Sequence, residues 1–314
     1  MAFRLPPLAI TDFVLPSAAR FLSESQTAPH PALALMARET RVREGFVPRV
    51  LDGTALPDDS WALRGDEFLF RTFEGIGLYY RRGAGITLEQ PAGADPRTIA
   101  LWLGGTLYAA IAALNGLFPI HASAVEHRGR VYAFSGPAGA GKSTLVAALG
   151  VAAPARAGFA QFCDDTLILD IAGYGPPVCL PGHKRLKLWP EGMALAGVEA
   201  GELVAADYPK HYVEPAAGSI SEPLPLAELM FLEQGDDPRL APLSGAQRIE
   251  RLQDDHYTAE LWRQARGHAR PDRFAILAAL ARRIPMSRFV RPLDPARFAQ
   301  SAQFIAAHIR KAPA

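Results

Sequence analysis

One short glycine-rich segment constrains this 314-residue chain more than any other feature. The segment satisfies the pattern G-x-x-x-x-G-K-[ST], and it reads Gly136-Pro137-Ala138-Gly139-Ala140-Gly141-Lys142-Ser143. An apolar run, 131–134, comes directly before it and predicts a strand, and the residues that follow Ser143 are helix formers. Because both flanks are of the type that this motif needs, the pattern predicts a strand–loop–helix unit and not a chance glycine-rich turn.

Each residue type in this loop has a physical task in holding a triphosphate. Glycine lets the backbone point successive N–H groups inward, and the N-terminus of the following helix adds positive potential. Lys142 can reach the β- and γ-phosphates, and the Ser143 hydroxyl can bind Mg²⁺. The sequence therefore predicts a site for a nucleoside triphosphate with Mg²⁺, and the residues predicted to bind the nucleotide are Gly136, Pro137, Ala138, Gly139, Ala140, Gly141, Lys142, Ser143 and Thr144.

Composition and missing motifs narrow the classes of protein. The chain carries 33 Lys+Arg against 32 Asp+Glu, so no overall charge draws it to nucleic acid or to anionic lipid. Its 2 cysteines exclude a disulfide framework and a four-cysteine metal site. The sequence contains neither an Asn-Lys-x-Asp motif nor a Leu-Ser-Gly-Gly-Gln motif, which argues against GTPases and transporter ATPases.

Two adjacent carboxylates, Asp164 and Asp165, follow a predicted strand over 158–163. One of them can hold Mg²⁺, and the other can accept the proton of an attacking hydroxyl. Neighbouring residues of an extended chain point in opposite directions, so only a turn would aim both carboxylates inward. An isolated Asp-Asp pair is most often a solvated turn, but behind a phosphate loop and a strand the pattern favours a functional pair.

A histidine stands upstream of the loop, at position 121. The segment 125–131 has the pattern of a hairpin with its turn at 127–129, which would place His121 on a strand next to the one that leads into the loop. A lone histidine in such a position is most often a hydrogen-bonded core residue.

Two units are predicted along the chain. Residues 1–95 have the glycine-bounded, alternating pattern of a small β-rich N-terminal module, and residues 96–314 form the nucleotide-binding domain with helices at its C-terminal end. The stretch 98–120 carries no charge, and we interpret it as a buried helix over about 99–116 and not as a membrane span. The first residues do not form a secretory signal, so a cytoplasmic location is expected.

Four features together resemble the HPr kinase/phosphorylase-like P-loop kinases. They are Leu117-Phe-Pro-Ile-His121-Ala-Ser-Ala-Val, the loop from Gly136 to Thr144, the pair Asp164-Asp165, and Leu186-Lys-Leu-Trp189-Pro190. The similarity covers about residues 95–235 and is closest to the divergent HPr-kinase-related proteins, which include the kinases of lasso-peptide gene clusters. It implies an α/β fold shared with phosphoenolpyruvate carboxykinase, in which the phosphate loop lies at the core of a mixed sheet.

The resemblance also implies roles for individual residues. Four are implied as catalytic: His121, Lys142, Asp164 and Asp165. His121 would orient an aspartate and Lys142 would hold phosphate, while Asp164 would be the general base and Asp165, with Ser143, a metal ligand. The exchanged assignment of the two aspartates stays open. Three further cations would meet phosphate or an acidic substrate, namely Lys184, Arg185 and Lys187.

The predicted function is an ATP- and Mg²⁺-dependent kinase that transfers the γ-phosphoryl group to a hydroxyl, above all a serine of a peptide or protein. The second signature of true HPr kinases, Arg-Gly-Leu-Gly-Ile-like, does not occur, which argues against HPr as substrate and against reverse phosphorolysis. A small-molecule kinase of the same fold and a non-catalytic ATP-dependent switch are the alternatives. Neither nucleic acid nor a membrane is an expected partner, and self-association stays open.

Overall fold

The computed structural model describes residues 8–9, 30–151, 158–182, 185–206, 208–214, 222–253, 257–266 and 270–312, and it has a mixed α/β fold. The strands are β1 Leu8–Ala9, β2 Arg41–Glu44, β3 Val50–Leu51, β4 Thr54–Ala55, β5 Ser60–Arg64, β6 Glu67–Arg71, β7 Gly77–Arg81, β8 Gly85–Glu89, β9 Phe118–Ile120, β10 Ala122–His127, β11 Arg130–Ser135, β12 Ala160–Cys163, β13 Leu167–Asp170, β14 Val178–Leu180, β15 Leu186–Leu188, β16 Leu203–Ala205, β17 Tyr208–Val213, β18 Leu224–Gln234, β19 Arg239–Pro242 and β20 Met286–Arg291.

Eight helices connect these strands in the described part of the chain. They are α1 Pro31–Glu39, α2 Pro96–Leu114, α3 Lys142–Gly150, α4 Pro190–Ala196, α5 Gly245–Leu252, α6 Tyr257–Arg266, α7 Arg270–Arg283 and α8 Phe298–Lys311, and a short 3₁₀ turn, Pro295–Arg297, precedes the last. The periodicity of apolar residues in the sequence predicts amphipathic helices at 244–265, 271–283 and 293–310. The structure divides the first of these into α5 and α6 and begins α8 at residue 298.

A six-stranded sheet forms the N-terminal region, with the strand order β1-β2-β8-β7-β6-β5. Consecutive strands from β5 to β8 are joined as antiparallel hairpins. The large apolar side chains of β6, Phe68 and Phe70, are buried, and Phe70 lies against the ring of Trp102 in α2 with 4.6 Å between ring centroids. The alternating or glycine-opened apolar runs of the sequence predict strands at 68–73, 75–80 and 85–89. All three are confirmed, with shifts of one to a few residues at their ends.

Helix α2 carries the uncharged stretch and runs between this sheet and α6. Asp95 caps its N-terminus by accepting a hydrogen bond from the Arg97 N–H at 2.9 Å, and the last seven residues, Tyr108–Leu114, are all buried. Residues Leu103–Leu107 form a π-helical turn in the middle of the helix. Within the described ranges it is the one helix long and apolar enough to cross a membrane, and 61% of its most apolar window is buried inside the structure.

The phosphate loop leaves a nine-stranded mixed sheet. The order is β12-β10-β11-β18-β14-β13-β9, and β20 pairs with both β18 and β19. Strand β11 runs parallel to β18, and β18 runs parallel to β20, so the carboxyl ends of these three strands meet at one edge. The hairpin of β10 and β11 is confirmed, but β10 separates β11 from β12, so the strand before the aspartates is not the direct neighbour of the strand that feeds the loop.

A third sheet, of order β15-β17-β16, covers one side of the loop region. The structure differs from the sequence-based prediction in two strands, β17 of this sheet and β20. The glycine- and proline-rich sequence around residues 210–212 predicts a loop, yet these residues belong to β17, which pairs with β15 and β16. Strand β20 is not predicted from the sequence, because the run before it has helical periodicity and its pairing partner β18 lies more than fifty residues away in the chain.

Candidate functional site

The phosphate loop joins β11 to α3 in a backbone conformation that only glycine adopts without strain. Gly136, Gly139 and Gly141 have φ angles of 145°, 80° and 83°. A Cβ atom on Gly136 would also lie 3.1 Å from the carbonyl oxygen of Leu232 in β18. Backbone conformation thus favours glycine at all three positions, and at Gly136 close packing does so as well.

Lys142 lies at the first position of α3 and folds back over the loop. Its Nζ donates hydrogen bonds to the carbonyl oxygens of Gly136 at 2.8 Å and of Pro137 at 3.1 Å. Burial lowers the pKa of Lys142, although the charges of Asp165 and Asp164 act in the opposite direction. The ammonium group is therefore held at the loop, where a bound phosphate would come within its reach.

Asp164 is fixed against the loop serine. Its Oδ1 accepts hydrogen bonds from Ser143 Oγ at 2.7 Å and from Ser123 Oγ at 2.6 Å, and its Oδ2 accepts one from the backbone N–H of Lys187 at 3.0 Å. The side chain is buried. Ser123, on β10, was part of the motif that carries the resemblance, but the sequence assigned it no role.

Asp165 turns the other way, because its backbone is left-handed with φ at 69°. Its Oδ2 lies 2.7 Å from Lys187 Nζ, and its Oδ1 lies 3.4 Å from Nδ1 of His121. The same Nδ1 lies 2.9 Å from the main-chain oxygen of Asp165; since a carbonyl only accepts, this nitrogen carries the proton and donates it. The prediction that His121 lies within a strand is wrong, because the residue lies between β9 and β10.

The opposite charges of Asp165 and Lys187 stabilise the ionised forms of both side chains. Burial raises the pKa of Asp165, but the neighbouring Lys187 and His121 outweigh it and hold the pKa well below its usual range. For Lys187 burial acts downward, and the two aspartates raise its pKa above the usual value of a lysine. Both groups are therefore ionised at neutral pH. The Asp165 side chain keeps 30% of its surface exposed, against 14% for Lys187.

The sequence missed two residues that the fold brings to this place. The guanidinium of Arg291, at the end of β20, donates to the loop carbonyl oxygen of Ala140 at 2.5 Å, and its buried Nε has no acceptor in the described structure. Tyr257, at the start of α6, shares a hydrogen bond of 3.0 Å with the Thr166 hydroxyl, and its ring lies 5.6 Å from that of His121. Both come from the C-terminal region, and no local motif marks them.

Of the further cations named from the sequence, two lie within the described residues, and one of these two reaches the site. Lys187 contacts Asp165, as described above. Arg185 instead pairs with Glu202 at 2.7 Å and with Glu214 at 2.9 Å, and its guanidinium lies over the Tyr212 ring. Lys184 lies outside the described residues. Lys210, on β17, lies close enough for its charge to lower the pKa of Asp165.

A cavity of about 780 Å³ opens beside the carboxylates. Asp165, Lys187 and Tyr257 form its inner end. Its walls come from the N-terminal sheet at Ile76 and from the π-helical turn of α2. Asp165 is therefore the aspartate of the pair that a second ligand can reach, whereas Asp164 faces the loop.

The donors at the loop fit a Mg²⁺ ion. A hydroxyl oxygen of Ser143 and a carboxylate oxygen of Asp164 converge at 2.7 Å, and hard oxygen ligands of this type are those that Mg²⁺ takes. No group of three or more His, Cys, Asp or Glu residues with metal-binding geometry occurs in the described part.

Comparison with known proteins gives distant likenesses among solved structures alone. No model of a protein family matches the chain, and no curated protein matches it. Among solved structures, the Hpr(Ser) kinase/phosphatase from Coxiella burnetii is similar with a TM-score of 0.32 and 11% sequence identity, over 61% of this chain and 88% of that chain. A likeness of this size carries no argument about activity, so the case for a function rests on the geometry of the site.

Proposed function

We propose that this protein is an ATP- and Mg²⁺-dependent phosphotransferase of the HPr-kinase-related P-loop type, which moves the γ-phosphoryl group to a hydroxyl of a peptide or protein serine. One observation carries the proposal. Two adjacent carboxylates are divided between two tasks, because Asp164 is bonded to the loop serine while Asp165 faces a cavity large enough for a second substrate. A protein that only binds nucleotide has no use for the second carboxylate.

The geometry favours the exchange of the roles that the resemblance implied. Asp164, with Ser143, is the better metal ligand because both oxygens face the phosphate loop. Asp165 is the better base because it is ionised and remains open to the cavity. His121 positions it by holding its main-chain oxygen. Mg²⁺ at Ser143 and Asp164 would neutralise charge on the phosphate oxygens.

In the proposed reaction one bond to the γ-phosphorus forms while another breaks, and a protein carboxylate takes the released proton. The acceptor oxygen forms a bond to the γ-phosphorus while the bond from that phosphorus to the β–γ bridging oxygen breaks, and ADP leaves with the electron pair. The acceptor proton passes to the Asp165 carboxylate. Lys142 and the loop N–H groups stabilise charge on the phosphoryl oxygens, and Arg291 holds the loop carbonyl at Ala140 in place.

Two asparagine variants, assayed over a range of Mg²⁺ concentrations, test this proposal. Asp165→Asn keeps the shape and removes the proton acceptor, so transfer should fall by about 10²–10⁴-fold at every Mg²⁺ level while ATP still binds. Asp164→Asn weakens a metal ligand, so transfer should fall and recover in part as Mg²⁺ is raised. His121→Ala should resemble Asp165→Asn.

The same experiment separates the alternatives. Unchanged transfer by both aspartate variants would remove the mechanism, and the opposite pattern of Mg²⁺ rescue would restore the assignment of Asp164 as base. ATP binding without phosphate on any added acceptor would favour a nucleotide-dependent switch. Asp237→Asn, an exposed surface aspartate paired with Arg297, is the matched control and should transfer at the wild-type rate.

A further inference from the structure

The cavity beside Asp165 reaches from the carboxylates to the N-terminal sheet. Asp165, Lys187 and Tyr257 line it on the carboxylate side, and Ile76, which comes just before β7, lines it on the side of the N-terminal sheet. A general base must lie within about 2.6–3.2 Å of the hydroxyl whose proton it takes. An acceptor that reaches Asp165 from this side therefore has to enter the cavity.

The size and the walls of the cavity describe what can enter. Its 780 Å³ lies within the range of about 300–1,000 Å³ that is usual for sites of compact ligands. Apolar and aromatic side chains line much of it, among them Leu101, Trp102 and Tyr208, and the acidic side chains of Glu74 and Asp95 also line it. Lys210 adds one cation near the phosphate loop. Such walls favour an acceptor whose hydroxyl is attached to an apolar group.

Gly105 gives an independent indication that this space is used. It is buried and lines the cavity from the π-helical turn, and a Cβ atom built on it would meet nothing within 4 Å. Its φ lies outside the left-handed region, so neither backbone conformation nor packing requires a glycine there. A glycine inside a helix costs about 1 kcal/mol relative to alanine, and π-helical turns are frequent at functional sites. A larger residue at position 105 would place its side chain in the cavity and reduce the volume open to a ligand.

We infer that the acceptor binds in this cavity as a compact hydroxyl compound with an apolar group, and that Gly105 limits its size. The inference rests on the proposed phosphotransferase function. The acceptor hydroxyl lies at Asp165, and its apolar group packs against Trp102 and Leu101. A free small molecule and a flexible peptide segment can both supply this chemistry. A serine on the surface of a rigid, folded domain cannot, because the domain would be stopped at the mouth of the cavity.

Two pools of acceptors, offered with ATP and Mg²⁺, test the inference. One pool holds acetylated heptapeptides with a single central serine and apolar, polar or charged flanks, and the other holds small aliphatic and aromatic alcohols. Mass spectrometry identifies the phosphorylated products. We expect products from one pool, with apolar groups next to the hydroxyl preferred, and the pool that reacts identifies the source.

Variants at Gly105 test whether the acceptor binds in this cavity. Gly105→Leu places a branched side chain in it, from a position where a Cβ atom meets nothing within 4 Å, and should raise the KM for the acceptor at least tenfold. Gly105→Ala should shift the preference towards smaller acceptors. Gly173→Leu, at an exposed glycine that also has nothing within 4 Å, is the control and should equal the wild type.

Three outcomes would overturn the inference. They are wild-type acceptor kinetics in Gly105→Leu, a preference for charged flanks, and no product from either pool while a folded protein offered as acceptor is phosphorylated on serine. Failure of the protein to bind MgATP, or ATP binding without phosphate on any acceptor, would instead refute the proposed function. If Gly105→Leu does not fold, the size preference of Gly105→Ala still decides the matter.

Discussion

The phosphate loop and the carboxylate cluster that faces it, formed by His121, Asp164, Asp165 and Lys187, are neighbours built in different ways. The loop is one continuous segment whose shape follows from glycines at left-handed φ angles. The cluster is assembled from three separate segments. The pairing of β13 with β9, which sets Leu167 opposite Ile120, brings His121 beside Asp165, and β15 supplies Lys187. A site formed by one continuous segment can be recognised from its local sequence. A site assembled from several segments can be recognised only once the order of the strands is known.

The largest expected effect tests the loop side of this comparison. Lys142→Ala removes the cation that would meet the β- and γ-phosphates, so transfer should fall by about 10²–10³-fold and ATP should bind more weakly. Calorimetry with MgATP and the rate of acceptor phosphorylation measure both effects. Lys311→Ala, at the exposed end of α8, is the control. Unchanged ATP affinity together with wild-type turnover would refute the loop assignment.

Arg291 tests whether the loop is as self-contained as its sequence indicates. Arg291→Gln removes a buried charge-assisted hydrogen bond to Ala140, and bonds to charged groups contribute about 1.5–3 kcal/mol. The KM for ATP should therefore rise about tenfold to a hundredfold, and Arg291→Lys should recover part of the loss. Arg239→Gln, on the exposed neighbouring strand β19, should change nothing. An unaltered KM in Arg291→Gln would mean that the loop holds its shape without help from β20.

Lys187 tests the carboxylate side through pH. In the wild type this cation holds the pKa of Asp165 low, so the base stays ionised far below neutral pH. Lys187→Met removes the cation and leaves the burial, so the pKa of Asp165 rises and its ionised fraction falls as pH is lowered. The acid limb of the pH–rate profile should move to higher pH by about 1–3 units. Lys187→Arg should leave the acid limb at the low pH of the wild type. If the acid limb does not move in Lys187→Met, the ionisation of Asp165 does not control the rate.

The smallest effect concerns the support of the cluster by α6. Tyr257→Phe removes the hydrogen bond with the Thr166 hydroxyl and leaves the ring in place, so the free energy of unfolding should fall by about 1 kcal/mol. The transfer rate should change by less than about tenfold, because Tyr257 supports the turn at Asp165 and the proposal gives it no part in proton transfer. Chemical denaturation and the rate assay measure the two. A loss as large as that of Asp165→Asn would give the phenol a direct role.

Much of the N-terminal sheet and of the loop could be predicted, since strands such as β6 and β8 have local patterns of apolar residues and glycine. The helix α2 was recognised for the same reason, from its uncharged run. Strand β20 and the assignment of residues 210–212 to β17 could not be predicted, because each depends on a partner strand far away in the chain. Arg291 was missed together with the strand that carries it.

The amino-acid sequence by itself determined the glycine-rich loop with its flanking strand and helix, because these depend on φ angles and apolar runs within a few residues. It also showed that two adjacent aspartates follow the next strand. Only the tertiary structure decided which aspartate faces the loop and which faces the cavity. That choice follows from the left-handed backbone of Asp165 and from side chains of β10, β15 and α6 that surround it. Contacts between distant segments set such directions, and no local pattern in the sequence contains them.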